Sequence, residues 1–72
     1  MATPEMQPVS SSNISAIGYD ADTQTVYVAF LNGSTYSYKG VPAQEFENLR
    51  TAASVGSYLN RMFKNVYPYE RA

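Results

Sequence analysis

No cysteine, no histidine and no tryptophan occur among the 72 residues. Without cysteine there is no disulfide and no thiolate zinc site, and the chain is expected in a reducing compartment. Without histidine there is no side chain whose ordinary titration range suits acid–base work near neutral pH. Charge is sparse as well: five Lys and Arg stand against six Asp and Glu, a net charge of −1. Long-range attraction to a phosphate backbone is therefore weak, so binding to nucleic acid is expected to be weak or absent. No apolar run approaches the roughly 18 residues of a membrane-spanning helix. The opening MATPEMQPVSSS has neither a basic nor an apolar secretory segment, which leads to the expectation of a soluble intracellular protein.

Hydrophobic residues nevertheless make up 44% of the chain, and ten are aromatic, seven of them tyrosine. That is too apolar for a disordered segment, and at this length one core is the most that can form. The first twelve residues, with Pro4, Pro8 and three serines, show no apolar period and are expected to form a flexible N-terminal arm. ISAIGYD (14–20) alternates as a strand, DADTQ (20–24) supplies turn formers, and TVYVAFL (25–31) is β-branched and aromatic. Asn32-Gly33 signals a tight hairpin before the alternating STYSYK (34–39). Pro42 suits a first helical position, and Ala43, Phe46, Leu49, Ala52 and Ala53 then recur at helical spacing, predicting a helix over 42–52. Ser54 is a candidate cap for a second helix with Val55, Leu59, Met62, Phe63 and Val66 on its apolar stripe. Gly56 weakens its first turn, and Pro68 ends it.

The reading is an α+β domain over 13–67: a three-stranded antiparallel β-meander followed by two short helices packed on one sheet face, with 68–72 as a frayed tail. Val26, Val28, Phe30, Phe46, Leu49, Leu59 and Met62 are its expected core. Two registers remain open for the hairpin. A two-residue Asn32-Gly33 loop places Tyr27, Tyr36 and Tyr38 together on the face opposite Val26, Val28 and Phe30, as an exposed platform. A three-residue loop over 32–34 turns Tyr36 and Tyr38 into the core instead.

No nucleophile and base can be paired into a catalytic set, so the chain is not expected to be an enzyme, and no cofactor or metal is implied. Asp20 and Asp22 sit among turn formers, where aspartate ordinarily bonds its own backbone. Binding is the remaining class of activity. On grounds of exposure and chemistry the candidate partner-binding residues are Ser10, Ser11, Asn13, Ile14, Tyr36, Tyr38, Arg61, Lys64, Tyr69 and Arg71.

SSNISAIGYD, TVYVAF, NGSTYSYKGVP, AASVGSYLN and the late YP resemble, in order and spacing, the KTSC domain, a small module found at the C-terminus of some lysyl-tRNA synthetases. The likeness runs over about residues 10–68 and is carried best by Gly18-Tyr19-Asp20, Phe30/Gly33/Tyr36/Tyr38, Val41-Pro42 and Ser54-x-Gly56. It implies a noncatalytic stand-alone or appended module, with RNA as one suggested ligand. Basic residues common in the family are replaced here by Ser37, Val55 and Ser57. The whole chain also resembles a small regulator of the kind that lytic Xanthomonas phages direct against host RNA polymerase. That resemblance implies a protein of the host bacterial cytoplasm that binds the β′ N-terminal region and the β flap of RNA polymerase, inhibits initiation and promotes antitermination; a monomer is expected.

Overall fold

A computed structural model describes residues 5–71. Five antiparallel strands form one sheet in chain order: β1 (Gln7–Pro8), β2 (Ile14–Asp20), β3 (Thr25–Phe30), β4 (Thr35–Tyr38) and β5 (Tyr69–Arg71). Between β4 and β5 lie α1 (Ala43–Arg50) and α2 (Val55–Met62). The α+β class and the central meander are as the sequence predicts. The sheet is wider by two short edge strands, one within the expected arm and one within the expected tail. Gln7 and Pro8 pair with Ile17 and Ala16, and Tyr69, Glu70 and Arg71 pair with Tyr38, Ser37 and Tyr36. Residues 1–4 and 72 lie outside the described chain.

Strict alternation along β2 would put Ile14 and Ile17 on opposite faces, yet both are buried. A bulge resolves this. Ile14 pairs with Phe30 and Ala16 with Ala29, so Ser15 is the extra residue, and the shift brings both isoleucines to the helix side. The turn after β2 is closed by Asp20, whose Oδ1 accepts the Asp22 N–H at 3.0 Å, and by Gln24 in the left-handed region at φ 53°.

Neither expected hairpin loop forms. Val28 pairs with Tyr36 and Val26 with Tyr38, while the Phe30 N–H reaches the Ser34 carbonyl at 2.7 Å. The loop is Leu31-Asn32-Gly33, a three-residue connection with Gly33 at φ 95°. The Asn32 side-chain oxygen accepts the Ser34 N–H at 3.0 Å, which suits a turn followed by one left-handed residue rather than a type I′ pair. The register lies two residues from the three-residue alternative, so the face is the same: Tyr36 and Tyr38 join Val26, Val28 and Phe30 beneath the helices. The three-tyrosine platform does not exist. Tyr27 alone is on the opposite face, in a row with Gly18, Ser37 and Glu70.

Pro42 caps α1 in extended conformation, with Glu45 in the first turn and Arg50 in the last, each complementing the helix dipole. Phe46 stacks on Tyr19 with ring centroids 5.1 Å apart, and the Tyr19 hydroxyl donates to the Val41 carbonyl at 2.6 Å. This clamps α1 onto β2. Ser54 caps α2, accepting from the Ser57 N–H at 3.4 Å. Val55, Leu59 and Phe63, four apart, form its buried stripe. Met62 was expected in the core but is 41% exposed, because its neighbour Phe63 takes the inward direction about 100° away round the helix. Val66 is exposed too, since the helix ends at Met62. Phe63 is enclosed by Tyr38, Tyr58 and Tyr67 at centroid distances of 5.7, 6.3 and 5.1 Å. Phe30 and Phe46 are half-buried at the margin of the core.

Candidate functional site

Four separate chain segments converge beside α2 around a cavity of about 320 Å³. The Leu31 N–H donates to the Asn13 carbonyl at 2.8 Å, tying the start of β2 to the hairpin loop and placing Asn13 beside Asn32. Phe30 and Tyr36 meet edge to face at 5.6 Å. Tyr69 on β5 packs against Tyr36 at 5.9 Å and Tyr38 at 5.3 Å, and contributes a wall that is 46% exposed. From α2 and the turn after it come Gly56, Leu59, Asn60 and Lys64. The buried lining is apolar and aromatic; the exposed lining is three carboxamides, one tyrosine and one ammonium. Among the described residues no carboxylate lines the cavity and Lys64 has no ion-pair partner.

Of the ten candidate residues, Asn13, Ile14, Tyr36, Tyr38, Lys64 and Tyr69 line this cavity. Ile14 and Tyr38 are only 1% and 4% exposed, so they shape it from below rather than offering a surface to a partner. Ser11 is local structure: its hydroxyl accepts the N–H groups of Asn13 and Ile14, both at 3.2 Å. Ser10 is exposed and does not line the cavity. Arg71 reaches the Ser34 hydroxyl at 3.4 Å across the sheet edge. Arg61 lies elsewhere, in a shallow cleft with Asn48, Thr51, Ser57 and Tyr58 between the helices. The two cations of α2 and its exit turn therefore serve different surfaces.

Sequence reasoning missed Asn32, Gly56 and Asn60. Only Gly56 left a signal, as a glycine in the first turn of a helix, where it favours the helix less than alanine does. A Cβ there would meet the Ser11 hydroxyl at 3.5 Å, an ordinary contact. Packing does not demand the glycine.

Burial, and then the neighbouring Tyr69 and Tyr36, push the Tyr38 hydroxyl above its ordinary value of 10.0. Burial likewise raises Tyr67, with Glu45 adding to it. On Tyr58 the hydrogen bond to Glu45 acts first. The unfolded chain then loses these protons before the folded one, so stability holds below pH about 10 and falls as pH rises beyond it. An alkaline titration followed by tyrosinate absorbance and circular dichroism should show ionisation of the buried tyrosines coincident with unfolding. Full ionisation with the fold intact would contradict it.

Among the described residues no cluster of three or more Asp, Glu, His or Cys is placed to hold a metal. No helix among the described residues is long and apolar enough to cross a membrane.

The fold and the sequence together define the class. Residues 10–67 match the KTSC domain, and the chain belongs to that family. The crystal structure of a KTSC domain protein from Yersinia pestis superposes with a TM-score of 0.88 at 36% identity, covering 94% of this chain and 96% of that one. A protein of Tsukamurella paurometabola is 44% identical over 59 residues, 82% of this chain and 88% of its own length. A lysine–tRNA ligase of Nostoc is 37% identical over 71 residues; these are 99% of this chain but 12% of the ligase.

Proposed function

We propose that this KTSC domain is a non-enzymatic, phage-encoded transcription regulator that binds host bacterial RNA polymerase, inhibiting initiation and promoting antitermination. The observation that carries a binding role is the convergence of the N-terminal segment, the hairpin, α2 and β5 on one aromatic and cationic surface. Recognition surfaces concentrate such aromatic anchors, and here they sit on sheet strands rather than on loops. The whole-chain resemblance supplies the partner, with the β′ N-terminal region and the β flap as the elements contacted. A domain of 8.0 kDa presents roughly 800 Å² to a partner, enough for a standard interface. Two contacts on one large enzyme would reinforce each other through effective concentration.

The test is in vitro transcription with purified polymerase, adding the protein either before promoter binding or during elongation. Co-purification with polymerase, inhibition on early addition and terminator read-through on late addition are expected. A protein that neither binds polymerase nor alters either step would remove the proposal.

A second reading, an RNA-binding module related to the lysyl-tRNA synthetase extension, is favoured by the ligase relatives. It requires tight tRNA binding with a steep salt dependence. Only a few phosphates can be neutralised by Lys64, Arg61 and their neighbours, so the expected slope is shallow.

A further inference from the structure

We propose that the cavity beside α2 is a binding site for a single nucleotide, with the base held among the tyrosines and asparagines and the phosphate by Lys64. This goes beyond the polymerase reading and does not depend on it. At about 320 Å³ the cavity stands at the small end of ligand pockets, larger than one protein side chain needs. Its composition is selective. Tyr69 and Tyr36 offer aromatic surface at its mouth, and a planar base can stack on such rings whatever its identity. Asn13 and Asn60 each bring a donor and an acceptor to the exposed lining, matching the mixed edge of a base. Among the described residues Lys64 is the one charge in the lining, and no side-chain carboxylate shares it.

Gly56 is the second, independent observation. It weakens α2, its backbone is not left-handed, and a Cβ would make only an ordinary contact with Ser11. The fold would therefore accept alanine and gain from it. Alanine would add a methyl group at a residue that lines the cavity. A destabilising residue without a packing reason marks a place kept open for something else.

Titrate the isotope-labelled protein with adenosine and cytidine 5′-monophosphates, with the matching nucleosides, with inorganic phosphate, and with a short single-stranded RNA. Saturable amide shifts at Asn13, Gly56, Asn60 and Lys64 are expected from the mononucleotides. Gly56→Ala should raise Tm by about 2–6 °C while weakening nucleotide binding about tenfold. That opposition separates a ligand role from a merely structural one. Lys64→Ala should bring nucleotide affinity down about fivefold, to that of the nucleoside. Binding of the RNA through the same residues identifies a strand as the source of the nucleotide; binding of mononucleotides alone identifies a free one. Absence of saturable shifts at millimolar nucleotide, or shifts indifferent to both substitutions, would overturn the proposal. So would an acidic peptide that moves these signals where nucleotides do not, since the cavity would then be a protein-docking site.

Discussion

Phe63→Ala lowers stability by about 3–5 kcal/mol, the range for a large aromatic deleted from a packed core. For a domain of this size that approaches the whole margin of stability, so the expected product is an unfolded chain. The reason is position. Phe63 is fully buried and holds three tyrosines, Tyr38 from the sheet, Tyr58 from α2 and Tyr67 from the chain beyond it. Because those partners come from different elements, the void cannot close by moving one of them. Phe30→Ala, at a half-buried position on the cavity, is expected to cost about half as much. Urea unfolding of both variants checks the order. Equal losses, or a stable Phe63 variant, would show that the sheet and α2 meet through a different seam.

A chain ending at Tyr67 should lose about 1–3 kcal/mol, as several backbone bonds worth roughly 1 kcal/mol each go and ordering entropy is returned. Three losses combine. The β4–β5 ladder disappears, the Lys39 N–H gives up its bond to the Pro68 carbonyl at 3.0 Å, and Tyr38 is uncovered where Tyr69 now packs on it. Nucleotide binding should fall with stability, because Tyr69 forms one wall of the cavity. Unchanged unfolding in urea would mean that β5 contributes nothing and that the tail is a frayed end after all.

Local rules carried most of the fold. Ser54 and the β-branched run at 25–31 specify their elements within a few residues of chain, and the structure follows them, whereas Pro42, expected as the first helical residue, is the extended cap just before α1. Three things depended on distant partners and could not be read locally. The bulge at Ser15 follows from both Ile14 and Ile17 needing the same core, which no alternation pattern encodes. The hairpin register depends on burying Tyr36 and Tyr38 with Val28 and Val26, and this outweighs the type I′ tendency of Asn-Gly. The edge strands at 7–8 and 69–71 are too short to show a period, and they form because a neighbouring strand offers unpaired backbone. The cavity was legible only as a list of surface residues, of which six converge and Arg61 does not. Asn60 gave no signal, because a single asparagine on a helix reads as solvated surface.

The strand order has a kinetic consequence. Strands β1 to β4 pair with their sequence neighbours, so their hairpins close loops of a few residues and can form on the microsecond scale. The β4–β5 pairing is different: Ser37 meets Glu70 only after both helices have been laid down between them. Among the described strand pairings that closure carries the largest loop entropy, and it is expected to form after the hairpins. The wall that Tyr69 supplies thus rests on a three-residue edge strand, whose amides are expected to exchange faster than those of the meander, through local opening rather than unfolding of the whole domain.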